Sequence, residues 1–320
     1  MKSGCWSGSS WSGPALTAAD DGEIGPRVTP VEIRIEATDG TRLAVRRWAP
    51  AGGGDEQGVP VLAVHGLASN ARMWDGVAAH LAGRGHPVAA VDVRGHGRSD
   101  KPDHGYDFGT VAADLADVID ALDWQGAERQ PLAVGQSWGG NIVLELAIRH
   151  PDAVRTIACI DGGTLDLGSQ FADWEAAKAA LTPPALAGMR AADFEAAVRA
   201  MHPDWPETGI QGALANVEVR PDGTIAPWLT LDRHLQILRH LWEHRPPDRY
   251  ALVPVPVLLV PAQSNDRSWA ASKRASVEKA EGALPVVRTR WFSGDHDLHA
   301  QYPAGVAALL HEACQPEFWT

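Results

Sequence analysis

An α/β protein with a mostly parallel central sheet flanked by helices is what this 320-residue sequence predicts, and three observations predict it. Short, continuous apolar runs at 59–64, 87–91, 132–134 and 253–260 have the length and β-branched content of strands covered on both faces. Amphipathic segments separate them, as parallel crossovers require. Several of the runs end in glycine-bearing loops, and in such sheets reactive groups gather outside the carboxyl ends of the strands.

Taken in order, the patterned chain opens with a hairpin. Val31, Ile33 and Ile35 alternate with charged residues, Asp39-Gly40 supplies the turn, and Leu43 and Val45 return. The strand at 59–64 stops at His65-Gly66-Leu67, a helix is expected over 70–83, and the strand at 87–91 leads into Asp92-Val93-Arg94-Gly95. Val111, Leu115, Val118, Ile119 and Leu122 then repeat with helical spacing. A strand within 153–160 ends at Asp161-Gly162-Gly163.

From 165 to about 245 the alternation breaks. Helical segments are expected near 171–181, 190–201 and 231–244, with a hairpin at Arg220-Pro221-Asp222-Gly223. The strand at 253–260 restores the α/β pattern, which continues through a helix near 268–282, a strand at 285–292 and a helix near 303–313. The expected organisation is a disordered leader at 1–27, a core of 28–164 and 246–320, and a mainly helical cap inserted at 165–245.

Composition narrows the function class. Net charge is −12 and no Lys/Arg cluster occurs, which argues against nucleic acid or an anionic membrane as partner. Cys5, Cys159 and Cys314 form an odd set without metal-ligand spacing, so a reducing, cytoplasmic setting is expected, with no metal and no cofactor. The serine- and glycine-rich leader lacks the apolar stretch of a secretion signal, and no run approaches a membrane span. Oligomeric state is left open.

The chemistry centres on Gly135-Gln136-Ser137-Trp138-Gly139, set between a strand and a helix. A serine on so sharp a turn sits in a backbone conformation costing about 1–3 kcal/mol, and its flanking residues must lack a Cβ for strand and helix to approach. In return its Oγ stands clear of the sheet beside the N–H groups of a helix N-terminus, which suit a developing negative charge. An incidental serine in a glycine-rich turn is the bland alternative.

With this element the chain resembles the α/β-hydrolase-fold superfamily over about 28–315, as a serine-nucleophile member with a cap. Four motifs in the family's order carry the likeness: His65-Gly66; Asp92-x-Arg94-Gly95-x-Gly97-x-Ser99; Gly135-x-Ser137-x-Gly139; and Gly294-Asp295-His296 with Pro303 beyond it. The resemblance implies an α/β-hydrolase fold, Ser137 as nucleophile and His296 as base, with His299 its near rival. It offers two candidates for the orienting acid. Asp161 follows the sixth strand and is placed first; Asp266 follows the seventh, where the usual aspartate slot holds Asn265. The oxyanion hole would use the N–H groups of Leu67 and Trp138. His65, Asp92 and Arg94 read as structural, the last two as a buried ion pair.

The cap carries Phe171, Trp174, Met189, Phe194, Met201, Trp205, Trp228 and Trp242. Such residues are commonly core, yet a lid this aromatic implies a small-molecule substrate with an apolar group. The resulting expectation is a serine hydrolase that cleaves a carboxylic ester, thioester or lactone through an acyl-enzyme. The alternatives are a serine-dependent C–C bond hydrolase, a cofactor-free haloperoxidase-like perhydrolase, or a receptor-like ligand-binding protein on the same fold.

Overall fold

The computed structural model describes residues 29–51, 58–124, 130–263 and 267–320. The expected leader lies outside the described residues, and so does Asp266. An antiparallel hairpin, β1 (Val31–Glu36) and β2 (Arg42–Trp48), is followed by β3 (Val61–Val64), α1 (Asp75–Gly83), β4 (Val88–Val91), α2 (Phe108–Ala121), β5 (Leu132–Gln136), α3 (Trp138–Arg149) and β6 (Thr156–Ile160). Next come α4 (Leu167–Gln170), α5 (Trp174–Leu181), α6 (Ala191–Met201), α7 (Glu207–Leu214), the short hairpin β7 (Val217–Val219) and β8 (Ile225–Pro227), and α8 (Leu231–Glu243). The chain closes with β9 (Val257–Val260), β10 (Ala262–Gln263), α9 (Arg267–Ala283), β11 (Val287–Thr289), β12 (Phe292–Ser293), α10 (Leu298–Gln301) and α11 (Pro303–Ala313).

Eight strands form the main sheet in the order β1-β2-β4-β3-β5-β6-β9-β11. Only β2 runs antiparallel to its neighbours; every pairing from β4 to β11 is parallel. The strand side chains alternate between two cores, as period-two geometry demands. Leu62 and Val64 of β3 join the core that includes Val111 and Leu115 of α2 and Ile142 of α3, while Val61 and Ala63 join the one that includes Val77 and Leu81 of α1 and Val306 and Leu310 of α11. Both faces are therefore covered, which explains the continuous apolar runs.

Order in the sheet also fixes where chemistry belongs. β4 lies on one side of β3 and β5 on the other, so the crevice outside their carboxyl ends is the topological switch point of the sheet. His65-Gly66-Leu67 leaves β3 there, and Ser137 leaves β5.

The break in alternation between β6 and β9 is filled by five helices and one hairpin. Two helices have no counterpart in the sequence pattern. α4 is a single turn. α7 holds only Ile210 and Leu214 as large apolar residues, and its glycines mask its helical period: a Cβ on Gly212 would lie 2.9 Å from Met73 Cα, and one on Gly209 2.7 Å from the Ala300 carbonyl. The helix thus lies directly on the 3₁₀ turn Ala71–Trp74 and on α10, where no larger residue fits. The single strand expected at 285–292 is two short pieces: β11 extends the main sheet beside β9, and β12 pairs separately with β10. No helix among the described residues is long and apolar enough to cross a membrane.

Candidate active site

Ser137 caps the N-terminus of α3 with φ 54° and ψ −121°, a left-handed backbone that few non-glycine residues adopt. Its N–H donates to the Ile160 carbonyl of the neighbouring strand (3.0 Å), which fixes the turn. The flanking glycines leave no room for a side chain: a Cβ on Gly135 would overlap the Gly139 carbonyl, and one on Gly139 would lie 2.6 Å from the carbonyls of Val64 and His65. Two further segments press on the serine. Gly66 sits so close that its missing Cβ would lie 3.2 Å from Ser137 Cβ, and that of Gly162 only 2.8 Å from Ser137 N.

The Gly162 contact sets the preceding residue, Asp161, beside the elbow. At the end of β6, Asp161 holds φ 42°, a second left-handed non-glycine residue. Its Oδ2 accepts from His296 Nδ1 at 2.6 Å, and its Oδ1 accepts from Ala262 N at 2.9 Å. The His296 loop is anchored twice: Gln136, beside the serine, donates from Nε2 to the His296 carbonyl (3.2 Å), and Asp295 N donates to Gln301 Oε1 (2.7 Å). The acid, the imidazole and the serine therefore share one end of the sheet. With Nδ1 as donor, His296 presents Nε2 as its acceptor nitrogen.

Electrostatics follow from these contacts. Burial works against ionisation of Asp161, but His296 and Lys273 outweigh it and hold the carboxyl below its ordinary value. Burial likewise opposes a charged His296, yet the Asp161 bond and charge, with Asp297 adding to them, raise its pKa above 6.5. His299, the sequence's rival base, is fully buried against Trp74, with ring centroids 4.4 Å apart. Burial drives its pKa down to about 3, and neither ring nitrogen has a hydrogen-bond partner among the described residues.

The turn after β3 is oriented by His65. Its Nε2 accepts from Val93 N (3.0 Å), leaving Nδ1 to donate to the Gly66 carbonyl (2.7 Å). Because C=O and N–H of a trans peptide point opposite ways, fixing the Gly66 carbonyl also fixes the Leu67 N–H. Among the described residues, neither the Leu67 N–H nor the Trp138 N–H is paired with an acceptor.

Asp92 and Arg94 do not form the expected ion pair with each other. Asp92 accepts from the N–H groups of Ala71 and Arg98 (both 2.7 Å), whereas Arg94 is bound by Asp114 (2.6 Å) and Asp39 (2.8 Å). Sequence proximity suggested the wrong partner.

A cavity of about 770 Å³ opens beside Asp161 and His296. Most of its described lining residues carry polar side chains, including Gln263, Ser272, Lys273, Ser276 and Ser293. None of the eight cap aromatics and methionines contributes to it. Instead Trp174 and Trp242 lie 6.3 Å apart with Arg239 over both rings, and Trp205 stacks on His202 at 3.8 Å. Lys273, absent from the sequence reading, donates from Nζ to both Asp161 oxygens (2.7 and 2.8 Å).

Comparison with known proteins extends the picture. Residues 59–204 match the family described as alpha/beta hydrolase fold. A non-heme chloroperoxidase of Streptomyces lividans is 37% identical over 115 residues, 36% of this chain and 38% of that one. The chain spans 36–38% of the length of the first curated relatives it matches. A longer match, 29% identical over 227 residues, covers 71% of this chain and 78% of a 2-(acetamidomethylene)succinate hydrolase of Mesorhizobium japonicum. Among solved structures, E-2-(acetamidomethylene)succinate hydrolase superposes with a TM-score of 0.67 at 23% identity, over 88% of this chain and 97% of that one. Strand order, the crevice at the switch point and these matches agree: the chain has the α/β-hydrolase fold, and its residues 59–204 match that family's model.

Proposed function

We propose that this protein is a serine hydrolase that cleaves a carboxylic ester, thioester or lactone of a small molecule through an acyl-enzyme. The observation that carries the reading is the 2.6 Å Asp161–His296 bond at the same sheet end as a strained serine and two unengaged N–H groups. In this mechanism His296 Nε2 takes the Ser137 proton as Oγ attacks the carbonyl carbon. The oxyanion accepts from Leu67 N and Trp138 N, and the same imidazole then gives its proton to the leaving group. Water, deprotonated by His296, releases the acyl group and restores the serine. Asp161 stays ionised throughout and keeps Nδ1 protonated. Residues 165–245 act as the lid.

None of the cap aromatics lines the cavity beside His296, so the apolar preference expected from the cap finds no support there. A reducing, cytoplasmic location is consistent with Cys159 and Cys314, both free and buried.

A fluorophosphonate probe tests the reading. Wild type should be labelled and should turn over p-nitrophenyl esters, and Ser137→Ala should do neither. Labelling that survives Ser137→Ala would overturn it. One second reading has a specific basis, the 37% match to a chloroperoxidase: hydrogen peroxide replaces water in the deacylation step. Bromination of monochlorodimedone in acetate, bromide and peroxide, where the peracid formed oxidises bromide, at rates above ester hydrolysis, would favour it.

A further inference from the structure

The carboxylate that orients His296 does not stand alone with it. Asp161 Oδ1 accepts from Lys273 Nζ (2.7 Å) and Ala262 N (2.9 Å), and Oδ2 accepts from Lys273 Nζ (2.8 Å) and His296 Nδ1 (2.6 Å). Four acceptor directions are thereby filled. The ammonium is itself latched, donating to the Ala262 carbonyl at 3.1 Å. Lys273 comes from α9, 112 residues along the chain from Asp161, and its side chain is only 21% exposed. Ala262, on which both groups close, opens β10 just past the end of β9. The acid is thus gripped between the ends of two strands and one helix.

We propose that Lys273 is a positioning residue for the hydrolytic reaction: its bidentate grip points Asp161 Oδ2 at the imidazole, and its charge sets the pH at which His296 becomes a base. The inference rests on the serine-hydrolase reading above.

Two consequences have opposite signs. Holding Asp161 ionised and in one rotamer strengthens the orientation of His296. Placing a positive charge on the far side of that carboxylate weakens its stabilisation of the imidazolium. The charged or titratable groups facing His296 are Asp161, Asp297, Lys273 and His299. Asp161 and Asp297 favour the imidazolium, while Lys273 opposes it. His299, with its pKa near 3, is neutral across the working range. Asp297 is held by burial above the ordinary carboxyl value, which reduces its own share at low pH. Lys273 is therefore the cation that keeps the Asp161–His296 pair from trapping its proton.

The test reads a pH dependence. Lys273→Met removes charge and grip, Lys273→Gln removes charge but keeps amide donors, and Lys273→Arg keeps both. The acidic limb of kcat/KM for p-nitrophenyl acetate should move up by about 0.5–1 pH unit in the Met and Gln variants and return to the parent value in the Arg variant. The plateau kcat should fall about tenfold in Met and less in Gln. A second arm needs no turnover: the imidazole of His296, followed by ¹⁵N NMR in the Ser137→Ala background, should titrate higher by the same interval when Lys273→Gln is added. If Ser137→Ala retains activity, the serine-hydrolase reading fails while the NMR arm still measures the effect of Lys273. An acidic limb and an NMR titration within about 0.2 unit of the parent in folded Met and Gln variants would overturn the proposal. Loss of the folded state in both would also overturn it, since Lys273 would then be structural alone.

Discussion

Among the described residues, two buried carboxylates each hold a histidine, and the two pairs differ in what the imidazole is left free to do. His296 bonds Asp161 at 2.6 Å, and His244 bonds Glu145 at 3.1 Å. Both carboxylates are buried and both also accept from cationic side chains: Lys273 on Asp161, and Arg149 and Arg249 on Glu145. The difference lies in the imidazoles. His244 spends both nitrogens, donating from Nε2 to Glu145 while Nδ1 accepts from Asn141, and its ring stacks on Phe108 at 4.1 Å. Its side chain is 8% exposed, against 51% for His296. A histidine with no nitrogen left is a fastener, here tying the residue after α8 to the helix that follows Ser137. One whose second nitrogen has no partner among the described residues, as in His296, can move a proton.

Breaking the two pairs should separate these roles. Asp161→Asn should lower kcat for p-nitrophenyl acetate by about 10³-fold or more, because an amide both loses the charge and can donate back to Nδ1. Asp266→Asn should stay within about threefold of wild type. The reverse ranking would transfer the acid's role to Asp266. Gly66→Ala should cost about 10²-fold, since its Cβ would strike the Gln136 side chain and shift the Leu67 N–H. Leu67→Ala should be nearly silent, because that turn presents its backbone. The pH profile sharpens the contrast further. His296 must be neutral to act, and its pKa is raised, so the acidic limb of kcat/KM should fall above 6.5 and activity should vanish below it.

The two pairs also differ in how far the sequence revealed them. Ser137, Asp161 and His296 follow strands and carry glycine neighbours, which is a local signal, and the structure brings all three to one end of the sheet. The strands that position them are legible because burial on both faces leaves uninterrupted apolar runs. Lys273 had no such signal: a lysine on an amphipathic helix looks like solvated surface, and only tertiary folding carries it to Asp161. The His244–Glu145 fastener was invisible for the same reason, and Arg94 was matched to Asp92 when its partners are Asp114 and Asp39. Periodicity failed on α7 because close packing on Met73 and Ala300 selects glycine, the residue that erases a helical pattern. Local strand and turn signals were legible, and the resemblance supplied one long-range pair, Asp161–His296; the other long-range polar pairs were hidden.

Glu145→Gln gives the smallest effect on rate and the cleanest reading of the fastener. Turnover at the pH plateau should stay within about threefold of wild type, since Glu145 touches neither Ser137 nor Asp161. Stability should fall by about 2 kcal/mol, or roughly 4 °C in Tm at pH 7, between the values for an exposed and a fully buried pair because Arg149 and Arg249 reach solvent. The pH dependence carries the sign. Burial opposes ionisation of Glu145, but His244, Arg249 and Arg149 outweigh it and hold the pKa down to about 2, against an ordinary 4.5. A carboxylate shifted downward contributes stability above its unfolded value and loses it as pH falls through the folded one. The Tm gap between wild type and Glu145→Gln should therefore be constant above about pH 5 and close between pH 4.5 and 2. A gap that persists unchanged at pH 2 would mean that the glutamate stabilises by packing rather than by charge. The contrast between a fastening pair and a reacting pair would then rest on the imidazoles alone.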